Sequence, residues 1–143
     1  TCTAILMCLV FAMKRCKMIP KFRAWDKNTN DMVDVKTIDL EKDGSIGCIV
    51  DYNGINLDVS ECILMQSTGL KDKNGVEIFE GDLVEHDDNI NGTWETFEAC
   101  EIVYDVEYAQ FCFKNDASNF LSYYRNLCII GNIHENTELL EVK

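Results

Sequence analysis

The chain has 143 residues and a net charge of −12, with 47% hydrophobic residues, 27% charged residues and one proline. This length and composition suit one domain or two small packed units with a buried core, and they exclude disordered and fibrous proteins. The acidic balance disfavours direct binding to nucleic-acid backbones or to anionic membranes.

The first seventeen residues differ from the rest of the chain. Their charged side chains are all basic, three of the thirteen Lys and Arg residues, so the other ten basic and 25 acidic groups give residues 18–143 a net charge of −15. The apolar run in this leader is too short to span a bilayer, and its basic cluster follows the run, whereas a signal peptide carries that cluster in front. We expect residues 1–17 to be a non-native or loosely attached leader, and the natural protein to begin at Met18.

Short strands and tight turns follow the leader. Lys21–Trp25 predicts a first strand, which the polar cluster Asp26–Asp31 turns back. Val35–Leu40 predicts a second strand, followed by a turn at Asp43-Gly44.

The pair Asn53-Gly54 predicts a hairpin with a two-residue type I′ turn, because both residues accept positive φ at little cost. Tyr52 would then face Ile55, and Val50 would face Leu57. This register places apolar side chains from both strands on one face.

The segment Ser67–Val84 places three glycine turns around a short strand. Asn74-Gly75 reverses the chain, and Gly81-Asp82 leads into a strand that ends at His86. We expect the carboxylates of Asp72 and of the residues beside Gly81 to cap free backbone amides in these turns.

The second half of the chain predicts a polar loop at Asp87–Thr93 and then two strands, Glu98–Asp105 and Tyr108–Lys114. The aromatic side chains of these strands would form the core of this half. Ala117–Asn126 could be a short helix or an aromatic-rich loop, and its pattern does not decide between them.

The last segment predicts a buried strand at Leu127–Ile130, a turn at Gly131-Asn132 and a helical turn at Thr137–Glu141, capped by Asn136. The number and spacing of the strands indicate a mainly β protein, arranged as a small barrel or a rolled sheet, with few short helices.

The cysteines predict a reducing, cytoplasmic compartment rather than a disulfide framework. The chain has eight of them, and no two form a Cys-x-x-Cys pair. Five lie inside apolar, strand-like runs and are expected to be buried thiols: Cys48, Cys62, Cys100, Cys112 and Cys128.

Three segments resemble the YopX family of phage and prophage proteins: MIPKFRAWD from Met18, TGLKDKNGVEIFEGDLV from Thr68 and IIGNIHENTELLE from Ile129. The resemblance implies a phage or prophage origin. It also implies an SH3-like small β-barrel over residues 67–143, preceded by a small N-terminal β-hairpin unit over residues 18–66. It implies no established activity and no cofactor. The motif residues, for which we expect structural roles, are Gly69, Asp72, Asn74, Gly75, Gly81, Asp82, Gly131 and Asn132.

The sequence His86-Asp87-Asp88 is the arrangement closest to a metal site, because it combines an imidazole with carboxylates. Strand alternation would place neighbouring side chains on opposite faces, so we predict no metal site and no catalytic residues there. A GxSxG elbow and a phosphate-binding Gly-Lys-Ser/Thr loop are both missing from the sequence.

Aromatic residues in or beside predicted loops are candidates for a recognition surface, with core packing as the alternative. The candidates are Trp94, Phe97, Tyr123 and Tyr124. If exposed, they suit a protein partner better than single-stranded nucleic acid, which also needs a basic groove.

The leading functional hypothesis is a non-enzymatic accessory protein in the cytoplasm of the bacterial host cell, which binds a host protein, a phage protein or a copy of itself. A second hypothesis is an acidic mimic of DNA that inhibits a host nucleic-acid enzyme. A third is a metal-dependent hydrolase built around His86, Asp87 and Asp88.

Overall fold

The computed structural model describes residues 19–141, which form two antiparallel sheets and two short 3₁₀ helices. The prediction of a mainly β protein with few short helices is confirmed. Neither helical segment in residues 19–141 has the length and apolarity that a membrane span requires. The expectation for residues 1–17 lies outside the described residues.

The first sheet has six strands in the order β4-β3-β2-β1-β5-β6. These strands are β1 (Phe22–Asp26), β2 (Asp31–Leu40), β3 (Ile46–Asp51), β4 (Asn56–Leu57), β5 (Cys62–Lys71) and β6 (Glu77–Phe79).

The second sheet has four strands in the order β10-β7-β8-β9. These strands are β7 (Asp82–Ile90), β8 (Thr93–Asp105), β9 (Gln110–Phe113) and β10 (Arg125–Asn132). The 3₁₀ helices are Leu121–Tyr123, between β9 and β10, and Thr137–Leu139, after β10.

Neither sheet closes on itself within the described residues, because each runs from one edge strand to another. The closed SH3-like barrel is therefore not confirmed. Strand β5 continues through residues 66 and 67, pairing with β1 on one side and with β6 on the other. The division of the chain at this point stays a prediction.

Among the described residues, buried side chains form two clusters, and Ile78 of β6 in the first sheet belongs to the cluster beside the second sheet. The cluster of the first sheet contains Ala24, Ile49, Leu57 and Cys62. The cluster beside the second sheet contains Ile78, Val84, Ile102, Phe113, Leu121, Tyr124 and Leu127. Burial of these apolar side chains is the main favourable term in the stability of both halves.

The predicted register at Asn53-Gly54 is wrong by one residue. Leu57 pairs with Ile49 rather than with Val50. The Asp51 backbone N–H donates to the Ile55 carbonyl at 3.1 Å, so the loop has three residues instead of two. Ile49 and Leu57 thereby share the buried face, while Ile55 is 56% exposed.

The Asp51 carboxylate accounts for the longer loop. Its Oδ1 accepts the backbone N–H of Asn53 at 2.8 Å and that of Ile55 at 2.9 Å. Gly54 alone in this loop has positive φ, 78°, as a three-residue loop with a terminal left-handed residue requires. A carboxylate that satisfies two loop amides favours this turn over the type I′ turn.

The predicted polar loop at Asp87–Thr93 is also wrong. Strand β7 continues to Ile90 and β8 begins at Thr93, and these two residues pair directly across a two-residue turn. Asn91 and Gly92 in that turn both have positive φ, 52° and 87°. The Asn-Gly signal for a two-residue turn is therefore realised here rather than at Asn53-Gly54.

The C-terminal segment differs from its prediction in two details. Gly131 and Asn132 end strand β10, and the turn follows them. Asn136 precedes the 3₁₀ helix Thr137–Leu139 but makes no side-chain cap. Its Oδ1 instead accepts the Asn132 backbone N–H at 3.1 Å, so the Asn136 side chain closes the turn that follows β10.

Candidate functional site

A cleft of about 560 Å³ opens between the β7–β8 hairpin and the segment that follows β9. This volume lies within the range of about 300 to 1,000 Å³ that small-molecule and side-chain binding sites occupy. The cleft combines aromatic rings with acidic side chains. It is lined by His86, Asp88, Thr96, Phe97, Glu98, Cys100, Phe113, Asn115, Asp116 and Tyr124.

A backbone bulge in β8 shapes this cleft. His86 pairs with Phe97 and Val84 pairs with Cys100, so β8 carries one extra residue between the two pairs. Ala99 lies in this bulge and has a φ of 54°. Regular alternation would point Phe97 and Cys100 to opposite faces, and the bulge brings both to the cleft.

The His86 ring lies inside a stack of aromatic side chains. Its centroid is 5.3 Å from that of Phe97 and 4.4 Å from that of Phe113, with interplanar angles of 17° and 16°. The Tyr124 ring is tilted against it at 4.5 Å. His86, Phe113 and Tyr124 are buried, whereas Phe97 is 37% exposed, so Phe97 is the part of the stack that an incoming group can reach.

A hydrogen-bonded carboxylate forms one side of the cleft. The Tyr124 hydroxyl donates to Oδ2 of Asp116, while Ser118 Oγ donates to its Oδ1 at 2.7 Å. The hydrogen bond from Tyr124 contributes most, and together with that from Ser118 it lowers the pKa of Asp116 to about 2. Burial, together with the bond to Asp116, raises the pKa of Tyr124 to about 12. Asp116 is therefore ionised and Tyr124 neutral at pH 7.

The structure brings together two of the four predicted binding residues. Phe97 and Tyr124 both line the cleft, with Tyr124 7% exposed as part of its buried wall. Tyr123 packs edge-on against Tyr124 and remains 59% exposed. Trp94 lies farther along β8, 55% exposed, with the Arg125 guanidinium 5.7 Å from its ring.

The His86-Asp87-Asp88 sequence does not converge on one point. His86 and Asp88 line the cleft. The Asp87 carboxylate accepts hydrogen bonds from Thr96 Oγ1 and Asn126 Nδ2, each at 2.7 Å. Within residues 19–141, no three His, Cys, Asp or Glu side chains are grouped so that they could hold a metal ion.

The motif carboxylates cap backbone amides, as predicted. Asp72 accepts the N–H of Asn74 and of Val76 at 2.9 Å through Oδ1, and that of Ile129 at 3.1 Å through Oδ2. Burial opposes ionisation of this carboxyl, but the backbone donors outweigh it and hold the pKa of Asp72 below its ordinary value. The Asp82 carboxylate accepts the Phe79 N–H at 2.8 Å.

The motif glycines occupy conformations or spaces that suit them. Gly69, Gly75 and Gly81 have φ values of 77°, 81° and 82°. A Cβ on Gly131 would lie 2.5 Å from the Asn136 side-chain oxygen. These positions support the expectation that the motif fixes backbone shape.

The five described cysteines form no disulfide with one another. Cys62 and Cys112 are buried, and Cys48, Cys100 and Cys128 are of intermediate exposure. Burial raises the pKa of Cys62 and of Cys112, so these two thiols are protonated at neutral pH.

Comparison with known protein families gives a match. The model of the YopX protein family matches residues 21–141, which include both sheets and the cleft. The chain belongs to the YopX family. This confirms the resemblance seen in the three sequence segments.

A solved structure is similar to this chain over most of its length. The crystal structure of protein EF1440 from Enterococcus faecalis is 34% identical to this chain, with a TM-score of 0.64. The match covers 87% of this chain and 99% of that one. A search of curated proteins gave no match.

Several residues of this YopX-family cleft were not predicted from the sequence. The sequence assigns Asp88 only to the rejected metal site, and it assigns no role to Glu98 or Asp116, because no local pattern shows that the three carboxylates line one cleft. Phe113 was predicted as core and is both core and cleft wall. The bulge at Ala99 gives no composition signal that alternation rules detect.

Proposed function

We propose that this YopX-family protein is a non-enzymatic accessory protein of a phage or prophage, which acts in the cytoplasm of the bacterial host cell by binding another protein. The observation that carries the proposal is the cleft, where the half-exposed Phe97 ring lies beside the carboxylates of Glu98 and Asp116. Exposed aromatic residues within a concave polar rim are typical of protein-binding sites.

The side chains around the cleft support binding rather than catalysis. The His86 ring is committed to the aromatic stack, and the Tyr124 hydroxyl is committed to Asp116. A general base needs an imidazole or carboxylate within reach of a substrate proton, and a nucleophile needs such a base beside it. On this proposal, the His86 ring and the Tyr124 hydroxyl hold the binding surface rigid. On this proposal the scaffold is an open relative of the SH3-type barrel.

Affinity capture with paired variants tests the proposal. The parent protein, the Phe97→Ala variant and the Tyr52→Ala variant are immobilised and incubated with host lysate at near-physiological salt. Tyr52 is 69% exposed on the first sheet and serves as the matched control. We expect a protein that the parent and Tyr52→Ala retain and that Phe97→Ala loses. Capture that is equal for all three proteins, or no specific capture by the parent, would contradict the proposal.

The negative charge of the body supports a second candidate, an acidic mimic of DNA that occupies a host nucleic-acid enzyme. Residues 18–143 carry a net charge of −15, and three carboxylates line the cleft. Mimicry requires binding that weakens steeply with salt, because screening shortens the range of the charges. A captured partner whose affinity is unchanged between about 50 and 300 mM salt would remove this candidate, since the Debye length falls by roughly half over that range.

A further inference from the structure

The cleft is the place where exposed aromatic surface and negative charge of the second sheet coincide. Phe97 stacks on the buried His86 ring, which stacks in turn on Phe113. This stack fixes the position of Phe97, so its 37% exposed surface is held ready for contact. A positioned ring attracts flat and cationic groups through its quadrupole.

The charge around this ring is negative. Asp88, Glu98 and Asp116 line the cleft, and none of the described residues that line it is Lys or Arg. Hydrogen bonds from Tyr124 and Ser118 hold the Asp116 carboxylate in place. The cleft therefore offers acceptors without an internal cation to pair with them.

We infer that the cleft binds the side chain of an arginine on an exposed segment of the partner protein. The inference rests on the proposed function and names the chemistry by which that partner is recognised. A guanidinium is planar, so it stacks on the Phe97 ring while its N–H groups donate to the carboxylates of Asp88 and Glu98. The charge of the hydrogen-bonded Asp116 adds to the attraction.

Other occupants fit this arrangement less well. A lysine ammonium is a compact, strongly hydrated charge that stacks poorly on a ring. A divalent cation needs converging ligands, and residues 19–141 contain no group of three acidic, His or Cys side chains that could supply them. A phosphate group is repelled by the three carboxylates.

The test titrates the protein with blocked five-residue peptides, Gly-Gly-x-Gly-Gly, in which x is Arg, Lys or the uncharged citrulline. Amide shifts in ¹⁵N–¹H spectra report both affinity and location. We expect the Arg peptide to shift the amides of Phe97 and Glu98 and to bind at least about tenfold more tightly than the citrulline peptide, because citrulline lacks the charge.

Variants locate the binding within the cleft. Phe97→Leu keeps an apolar side chain but removes the ring, and Glu98→Gln removes one carboxylate from an exposed position. Each should weaken Arg-peptide binding by about fivefold, the size expected for one exposed cation–π contact or one charged hydrogen bond. Tyr52→Leu, on the first sheet, should leave it unchanged.

Three outcomes overturn the inference: no shift at Phe97 and Glu98 with the Arg peptide, equal binding of the citrulline peptide, or equal binding of the Lys peptide. The lysate capture separates this failure from failure of the proposed function. If Phe97→Ala still loses a captured protein while the Arg peptide does not bind, the cleft is a protein-binding site that recognises something other than arginine. If neither is seen, both proposals fail.

Discussion

The guanidinium of Arg23 in β1 lies 2.8 Å from the carboxylate of Asp82 in β7, and this ion pair joins the two sheets. The two side chains are only 13% and 3% exposed. Burial raises the pKa of Asp82, and the charge of Arg23 opposes only part of that shift. Arg23 also lies over the Phe79 ring at 4.8 Å. Arg23 therefore supplies the counter-charge for the buried carboxylate of Asp82, a residue of the family motif.

Removal of this arginine should destabilise the fold strongly. We expect Arg23→Met to lower the free energy of unfolding by about 3 kcal/mol, because it leaves the Asp82 carboxylate buried without a counter-charge. Urea denaturation measures the change. The control is Lys21→Met, since Lys21 pairs with Glu77 at 2.7 Å but is 59% exposed, and it should have little effect. Equal effects of the two substitutions would show that Arg23 has no special role.

Replacement of the loop aspartates should separate local from long-range stabilisation. Asp51 and Asp72 each accept two amides of their own loop, but Asp72 also accepts the N–H of Ile129 in β10. We expect Asp72→Ala to cost about 1.5 to 3 kcal/mol more than Asp51→Ala, the contribution of one further hydrogen bond to a charged group. Thermal or urea unfolding of both variants provides the comparison, and a larger loss in Asp51→Ala would contradict it.

The carboxyl of Asp116 should titrate according to its hydrogen bonds. Loss of the hydroxyl in Tyr124→Phe should move the pKa of Asp116 upward from about 2 toward its ordinary 3.8. Ser118→Ala removes the second contributor and should produce a smaller rise. A ¹³C NMR titration of the carboxyl carbon measures both. An unchanged midpoint in Tyr124→Phe would show that another group holds this carboxylate ionised.

The lowered pKa of Asp116 predicts that the stability of the fold depends on pH. Because the folded-state pKa of Asp116 lies below the ordinary 3.8, its contribution is present above that value and is lost as the pH falls toward about 2. We expect the unfolding midpoint of Tyr124→Phe to depend less on pH in this window than that of the parent. Parallel pH profiles for the two proteins would refute the assignment.

The turn between β8 and β9 contains a strained alanine. Ala109 is exposed and has a φ of 51°, a conformation that costs a residue with Cβ about 1 to 2 kcal/mol. Ala109→Gly should therefore raise the free energy of unfolding by about 0.5 to 1 kcal/mol, after the greater entropy of glycine in the unfolded chain is subtracted. Ala117→Gly, at a position without positive φ, should be destabilising. Destabilisation by both would show that φ strain at Ala109 is negligible.

Turn chemistry explains which predicted turns were right and which were wrong. The Asp-x-Asn-Gly sequence occurs at residues 51–54 and 72–75, and both copies form the same capped three-residue loop. At residues 89–92 the residue two before Asn-Gly is Asn89, whose Oδ1 accepts only the Gly92 N–H, and a two-residue turn forms. The aspartate two positions before Asn-Gly therefore distinguishes the two three-residue loops at 52–54 and 73–75 from the two-residue turn at 91–92, and this aspartate is visible in the sequence.

The candidate site was less accessible to prediction. The sequence predicts that the four aromatic candidates lie in or beside loops, yet Trp94 and Phe97 lie on a continuous strand and Tyr124 is mostly buried. The cleft depends on the bulge at Ala99. The pairing of β8 with β7 decides which side chains of β8 this bulge turns toward the cleft. No window of β8 alone contains that information.

The sequence by itself determined the β class, most of the glycine turns, the capping carboxylates and the family, because each depends on residues close together in the chain or on the order of short motifs. Tertiary structure alone decided the pairing of Arg23 with Asp82, the stack around His86 and the meeting of Glu98 with Asp116 at one cleft. These contacts join residues on different strands or on the segment between β9 and β10, and their formation depends on sheet register and on burial, which are properties of the assembled chain.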